Sequence, residues 1–130
     1  PGYSQNYKFE SNEVNVAITY NGTRFDIPLL RSRAMVHGLL FPAYGQLLHI
    51  DLYFAAKGLL RLTSKRMGNV SRFLALTDKD NYDISVWNRA RRGDEKALKH
   101  IYDHNVADLQ ITRDLMIALG PYRRWLRRSV

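Results

Sequence analysis

The sequence contains no cysteine and no long apolar run. Without cysteine, disulfides, thiolate zinc sites and cysteine nucleophiles are excluded, and this composition fits a reducing compartment such as the cytoplasm. No apolar run approaches the roughly 20 residues that a membrane helix needs, and the polar start PGYSQNYKFESNE shows no signal peptide. We therefore expect a cytoplasmic protein that does not associate with a membrane.

Acidic residues are also in short supply relative to basic ones. The 130 residues include 20 Lys and Arg against 12 Asp and Glu, which gives a net charge of +8. Such an excess favours an anionic partner, and nucleic acid, either DNA or RNA, is the commonest. A basic protein without a polyanionic partner is the alternative. The length suits one domain with a modest core.

Short-range patterns predict one strand followed by a helix. The segment EVNVAITYNG alternates apolar and polar residues and predicts a strand over 14–20, closed by Asn21 and Gly22. A strand that is buried on both faces is typical of the centre of a parallel sheet. The next segment predicts a helix with Asp26 in the N-cap position and Gly38 at its end.

The rest of the chain is predicted to be mainly helical. LLHI predicts a second short strand, and Asp51 is placed to cap the helix that follows it. Ser64 is the predicted cap of the next helix, ISVWNRARRG predicts a short helix, and Trp87 is expected in the core. The longest periodic region predicts two helices that break near His104 and Asn105. The basic tail YRRWLRRSV is expected to form a further helix.

Three polar residues stand where chemistry can occur. Asp26 lies at the predicted carboxyl end of a strand, where open α/β sheets bind ligands, although a plain helix cap is the alternative. His104 and Asp108 have the i, i+4 spacing that places two residues on one face of an unbroken helix, and a solvated helix face is the alternative. Aspartates provide the hard oxygen ligands that Mg²⁺ or Mn²⁺ prefer, and a histidine can accept a proton from water.

Longer segments resemble one family of enzymes. YNGTRFDIPLL resembles the second motif of DEDD-type 3′–5′ exonucleases, which have a ribonuclease-H-like fold, and is similar to the proofreading domains of family B DNA polymerases. HIDLYFAAKGLLRLTSKRMGNVSRFLAL resembles the segment that follows this motif. WNRARRGDEKALKHIYDHNVADLQITRDLM resembles the region of the third motif. The resemblance implies an α/β fold, a ribonuclease-H-like exonuclease domain, over most of the chain.

The resemblance also implies roles for the three polar residues. In such enzymes four acidic residues hold two metal ions, implying Mg²⁺ or Mn²⁺ as the cofactor. Asp26 matches the third acidic residue and Asp108 matches the fourth. His104 matches the residue that orients or deprotonates the attacking water, although its spacing from Asp108 is the one usually seen when that residue is a tyrosine.

The first motif of the family, a D-x-E sequence on an apolar strand, is not found. The acidic sequence DKD at 78–80 lies in a polar loop, and Glu10 and Glu13 come before the first predicted strand. The chain also lacks an initiator methionine. We therefore expect the C-terminal part of a longer exonuclease domain, without its first strands and with little or no nuclease activity alone. A non-catalytic nucleic-acid-binding or interaction domain derived from an exonuclease is the alternative.

Several residues are candidates for nucleic-acid binding. Asn21 would orient the terminal nucleotide or only form the turn, and Phe25 is expected to pack between strand and helix rather than to touch a base. Three basic residues can contact phosphates or form a solvated face: Lys65, Arg66 and Arg72. An incomplete sheet would also expose a strand edge, which predicts self-association.

Overall fold

The computed structural model describes residues 16–43, 45–76, 83–122 and 127–129. The chain divides into two compact units: unit 1 comprises Pro1–Arg61 and Tyr122–Val130, and unit 2 comprises Leu62–Pro121. Unit 1 contains β1 (Val16–Thr19), α1 (Asp26–Val36), β2 (Leu48–Asp51), α2 (Leu52–Leu59) and β3 (Arg127–Ser129). Unit 2 contains α3 (Met67–Phe73), α4 (Ile84–Arg91) and α5 (Glu95–Leu119), and a 3-10 turn, Gly120–Tyr122, follows α5. The predicted α/β class is confirmed.

The strands form a small mixed sheet. β1 runs parallel to β2, β2 runs antiparallel to β3, and the order is β1-β2-β3. A parallel and central position is expected of a strand that is buried on both faces. β1 is parallel to β2, but Ile18 on β1 is 39% exposed, so that condition is not met. Among the described strands β2 is the central one, and its His49 and Ile50 are 2% and 8% exposed.

The parallel pairing brings two strand ends together. Thr19, the last residue of β1, is paired with Asp51, the last residue of β2. Each strand then leads into a helix, α1 after a turn and α2 directly. The carboxyl ends of β1 and β2 therefore share one edge of the sheet, which is the edge at which α/β proteins bind ligands.

Helix α1 begins one residue earlier than a cap at Asp26 would require. Phe25 is the N-cap residue and makes no side-chain capping bond, so the predicted capping role of Asp26 is wrong, and Asp26 is the first helical residue. The backbone closes the helix start instead, because the Ile27 N–H donates to the Gly22 carbonyl at 2.9 Å. Ile27 is buried against Leu47, with partly buried apolar side chains beside them. The predicted end at Gly38 is confirmed by its φ of 64°.

Helices α3 and α4 are short. α3 starts after Arg66, so the predicted cap at Ser64 is wrong. α4 matches its prediction and is capped by Asp83, whose side chain accepts from the Ser85 N–H at 3.3 Å. Trp87 on α4 is 41% exposed, so its predicted place in the core is wrong. The core between α4 and α5 is instead made of smaller residues, Val86, Ala90, Ala97 and Ile101.

Helix α5 is one continuous helix of 25 residues, and the predicted break near His104 and Asn105 is wrong. Neither residue costs more than about 0.7 kcal/mol in a helix interior, and the buried face continues past them. Its buried residues follow one helical period from end to end: Ala97, Ile101, Ile111, Thr112, Leu115 and Leu119.

Several sequence predictions concern the remaining segments. The tail is a strand over Arg127–Ser129, so the helix predicted there is wrong for those residues. Residues 14 and 15 of the first predicted strand, the loop at 77–82 and Trp125 lie outside the described residues. Within the described ranges, no helix combines the length and the apolar character of a membrane-spanning segment.

Candidate active site

The turn between β1 and α1 has a backbone that few residues can adopt. Asn21 has a φ of 62°, in the left-handed region that asparagine tolerates better than most residues. Gly22 follows it, and a Cβ atom there would lie 2.3 Å from Thr19 Oγ1. Because glycine has no Cβ, the backbone can come close to Thr19, and the Gly22 N–H donates to Thr19 Oγ1 at 3.1 Å. The predicted Asn-Gly turn is confirmed, and both residues have a physical reason to be there.

The Asp51 carboxylate holds this turn from the neighbouring strand. Asp51 is 1% exposed and accepts three backbone N–H bonds, from Asn21 (2.7 Å), Thr23 (3.1 Å) and Tyr53 (3.1 Å). The bond from Tyr53 is the predicted helix cap of α2, which is confirmed. The other two tie the β1–α1 turn to β2. Sequence reasoning missed this second role, because it depends on the pairing of Thr19 with Asp51 across the sheet.

A buried histidine adds a second link between the two strands. His49 is 2% exposed, and its Nε2 lies 2.8 Å from Thr19 Oγ1 in a hydrogen bond. Thr19 therefore contacts both His49 and the N–H of Gly22. A buried polar network that is satisfied in this way holds its members in one arrangement.

Asp26 projects from the first turn of α1 beside this network. As a residue it is exposed to solvent. Its pKa is nevertheless raised, first by partial desolvation of the carboxyl group and then by the negative charge of Asp51, while His49 acts in the opposite direction. A carboxyl group whose pKa is raised by burial and by a neighbouring negative charge is typical of a place where a cation or a proton is held.

Two oxygen atoms in the same turn are buried without a hydrogen-bond partner among the described residues. They are Asn21 Oδ1 and Thr23 Oγ1. Buried polar atoms are usually satisfied, and exceptions in native structures often point to a ligand or to function. Both atoms are hard acceptors and lie in the segment that leads to Asp26.

The second group of candidate residues lies on α5. His104 Nε2 is 3.5 Å from Asp108 Oδ2, and their side chains are 8% and 23% exposed. The pair occupies the gap between Ile101 and Ile111 on the packed side of the helix, in the same helical period as the buried residues. The continuous helix thus brings these two predicted site residues together on one face.

The remaining predicted residues are placed as follows. Phe25 is 68% exposed, so its predicted packing between strand and helix is wrong. The Lys65 ammonium donates to the Leu62 carbonyl at 2.7 Å, and Arg66 is the N-cap residue of α3. Arg72 lines a surface depression in unit 2. Contact of these basic residues with phosphate stays a prediction, as does contact of Asn21 with a nucleotide.

Sequence reasoning did not single out the cation–π group beside the turn. The Arg24 guanidinium lies 5.4 Å from the centroid of the Tyr53 ring and 5.8 Å from that of Phe54. Tyr20 packs edge-on against Tyr53 with ring centroids 6.1 Å apart. Burial, Tyr53 and Asp51 together raise the pKa of Tyr20 far above its ordinary value. The residues that flank the β1–α1 turn are therefore held by aromatic packing as well as by hydrogen bonds.

The candidate site residues offer the type of oxygen ligand that a divalent cation prefers, but they offer too few of them to complete a metal site. Asp26 in unit 1 and Asp108 in unit 2 each carry carboxylate oxygens, the kind of ligand that Mg²⁺ and Mn²⁺ prefer, and their role as metal ligands stays a prediction. In the part of the chain that the structure describes, no three His, Asp or Glu side chains are gathered as a metal site. A cation held by this chain would therefore need further ligands.

Comparison with known proteins gives one result. Residues 4–120 match the sequence model of the family RNase_H_2, which is described as part of the RNase H superfamily. No curated protein matches the sequence. The match covers both segments that carry Asp26 and the His104–Asp108 pair.

Proposed function

Because the chain belongs to the RNase H superfamily, whose model matches residues 4–120, we propose that it is part of a metal-dependent 3′–5′ exonuclease. Membership of the RNase H superfamily supports a nuclease-type fold. The finer assignment comes from the resemblance of its motifs to DEDD-type exonucleases. The substrate would be a nucleic acid, DNA or RNA, in agreement with the net charge of +8.

The observation that carries this proposal is the pairing of His104 with Asp108 on α5. Their 3.5 Å separation requires a helix without a break. In the proposed reaction the imidazole of His104 accepts a proton from the attacking water. The Asp108 carboxylate beside it stabilises the positive charge that the ring gains. The low exposure of His104 keeps bulk water from competing for that charge.

Asp26 and Asp108 would provide the ligands that this chain gives to the metal. When bound, a divalent ion stabilises the attacking and leaving oxygens of a phosphodiester displacement. The Asp51 carboxylate accepts hydrogen bonds from the turn before α1 and so holds the backbone that leads to Asp26 in one conformation. A metal-binding side chain whose backbone is already fixed loses less conformational entropy when the metal binds.

The proposal needs two further acidic ligands, and we place them in a D-x-E motif outside these 130 residues. The sequence offers no such motif on an apolar strand. With two carboxylates, at most one cation would be held, and weakly. We therefore expect the 130-residue chain to cleave nucleic acid slowly or not at all without that segment.

Titration with Mn²⁺ tests the proposal on the chain itself. Electron paramagnetic resonance counts free Mn²⁺ as protein is added, for the wild type and for Asp26→Asn and Asp108→Asn. Asp103→Asn is the matched control, because Asp103 lies on the same helix with a side chain 58% exposed and paired with Lys99. We expect each of the first two substitutions to weaken binding at least about tenfold, as loss of a charged ligand does, and the control to have no effect. Binding that survives both substitutions would contradict the proposal.

One observation favours the alternative of a non-catalytic nucleic-acid-binding domain. Among the described residues no cluster of three acidic or histidine side chains exists, while the basic charge remains. The same titration separates the two functions. A chain that binds an oligonucleotide in a salt-dependent way but shows no Mn²⁺ binding through Asp26 or Asp108 belongs to the binding class.

Self-association is a further part of the proposal. Strand edges that lack a partner pair readily with a second chain, and β1 has a paired neighbour on one side only among the described strands. We expect light scattering to report a dimer or larger species at high protein concentration. A monomer under the same conditions would count against this.

A further inference from the structure

Unit 2 contains a depression where the loop at 62–66 meets α3. Its volume is about 300 Å³, which is at the lower end of the range for small-molecule sites. Six residues line it: Leu62, Thr63, Ser64, Asn69, Arg72 and Phe73. A space of this size holds one unit of a polymer rather than a long segment.

Both walls of the depression are held in place by contacts beneath them. The Lys65 ammonium closes the loop by donating to the Leu62 carbonyl at 2.7 Å. On the other wall, Val70 and Ser71 of α3 are fully buried at 0% exposure. Asn69, Arg72 and Phe73 have i, i+3, i+4 spacing and therefore share one face of this anchored helix.

The lining combines the chemistry that recognises a nucleotide. Arg72 carries a guanidinium, which binds phosphate through two parallel hydrogen bonds. The Phe73 ring is 61% exposed and offers a face for a base to stack on. Thr63 and Ser64 add hydroxyls, and Asn69 has an amide that both donates and accepts.

The segment that forms the depression carries charges of one sign. Residues 62–76 include Lys65, Arg66 and Arg72 and no Asp or Glu. A cationic peptide would be repelled from such a surface, whereas a phosphate backbone would be attracted. The exposed aromatic ring beside the cations separates this surface from a plain solvated basic face.

We infer that this depression binds one unpaired nucleotide of a single-stranded nucleic acid. In a duplex both faces of each base are stacked, so Phe73 reaches a base only after it has been unstacked. The inference rests on the proposed function for the identity of the ligand as a nucleic-acid strand, and it narrows the substrate class to single strands. It places strand recognition in unit 2, away from Asp26 along the chain.

Fluorescence anisotropy with labelled oligonucleotides tests the inference on the whole 130-residue chain. The probes are a ten-nucleotide deoxythymidine strand and a blunt duplex of equal length, both at about 150 mM salt, where non-specific binding is weak. The variants are Phe73→Leu and Arg72→Gln, which keep apolar volume and helix propensity. Phe73→Tyr retains an aromatic face, and Arg91→Gln is the matched charge control on exposed α4 surface. Circular dichroism establishes that each variant is folded.

We expect Phe73→Leu and Arg72→Gln to weaken single-strand binding by about fivefold or more. Phe73→Tyr should bind within twofold of the wild type, and so should Arg91→Gln. Duplex binding should not change with Phe73→Leu. Wild-type affinity in Phe73→Leu, or an equal loss for strand and duplex, would overturn the inference. Equal losses in Arg72→Gln and Arg91→Gln would reduce the site to general basic charge and overturn it as well.

The Mn²⁺ titration and the strand-binding measurement fail independently. Loss of strand binding in Phe73→Leu together with no metal binding at Asp26 or Asp108 would uphold the nucleotide site and reject the exonuclease. If metal binding depends on both aspartates and Phe73→Leu binds the single strand as tightly as the wild type, the exonuclease proposal is upheld and the nucleotide site is rejected.

Discussion

The backbone N–H of Asn21 donates to Asp51 Oδ1 at 2.7 Å, and this bond joins the turn before α1 to the residue that caps α2. One buried carboxylate thus serves two helix starts. Because its oxygens accept three backbone hydrogen bonds, removing it leaves several buried donors without partners. The cost of this residue's loss should exceed that of an ordinary helix cap.

We expect Asp51→Ala to lower the free energy of unfolding by about 3–7 kcal/mol, since the lost cap at Tyr53 costs about 1 kcal/mol and the stranded N–H groups of Asn21 and Thr23 add about 1–3 each. Urea denaturation followed by circular dichroism measures the change. Asp51→Asn should cost less, because its amide oxygen still accepts. A loss of less than 1 kcal/mol in Asp51→Ala would show that the turn does not depend on this carboxylate.

Gly22→Ala should also destabilise the turn. The added Cβ would lie 2.3 Å from Thr19 Oγ1, and the shift needed to relieve that clash disturbs the hydrogen bond between Thr19 and His49. Overpacking of this kind costs about 1–3 kcal/mol. Gly58→Ala in α2 is the control, because nothing lies within 4 Å of a Cβ there, and it should stabilise the helix by about 0.5–1 kcal/mol. Thermal unfolding of both variants decides whether the two signs differ.

Asp26→Asn should stabilise the protein at neutral pH. The pKa of Asp26 is raised in the folded state by desolvation and by Asp51, so the folded chain holds this proton more tightly than the unfolded chain. Wild-type stability therefore falls as pH rises from the ordinary aspartate pKa, about 3.9, through the raised folded value. The neutral amide avoids this loss. We expect a higher Tm for the variant at pH 7 and a difference that disappears at acidic pH.

Asp83→Asn provides a control of opposite sign for that experiment. The backbone and hydroxyl of Ser85 hold the pKa of Asp83 below its ordinary value. Its ionised form thus contributes stability that is present above the unfolded pKa and is lost as pH falls through the folded pKa. The Asp83 variant should be less stable than the wild type at pH 7. Differences of the same sign for both variants, or a difference for Asp26→Asn that is independent of pH, would refute the electrostatic account.

Asn105→Ala should stabilise α5 by about 0.5 kcal/mol. Asn105 is exposed in the middle of a continuous helix, and alanine has the higher helix propensity. Asn105→Gly should shift stability in the opposite direction. Chemical denaturation measures both. If the two substitutions left stability unchanged, residues 104 and 105 would not be helical in solution.

The features that sequence reasoning predicted correctly depend on neighbouring residues. The turn at Asn21 and Gly22, the cap at Asp51 and helix α4 each follow from residue types within a few positions of one another. The second role of Asp51 depends on the register of β1 against β2, which no local pattern contains. The sequence predicts a break near His104 and Asn105 because neither is a strong helix former and asparagine favours caps and turns, yet packing on either side of them outweighs that small preference.

The candidate site likewise has features that the sequence predicted and features that it did not. Motif resemblance identified Asp26, His104 and Asp108, and their local surroundings could be anticipated only in part. Phe25 and Trp87 are large apolar residues that reasoning placed in the interior, but both are substantially exposed. Hydrophobicity alone does not decide burial, because much of a folded surface is apolar. The depression beside Phe73 requires a loop and a helix to meet, and spacing in the sequence does not reveal that.

The regular packed side of α5 restricts how this segment can change in length. Each residue turns an α-helix by about 100°, so one insertion or deletion between Ile101 and Ile111 would rotate His104 or Asp108 away from the packed side. Substitutions at outward-facing positions such as Asn105 leave the register of the packed side unchanged. Among natural variants of this chain, substitutions should be tolerated along the outer side of α5, whereas gaps between these two isoleucines should be absent.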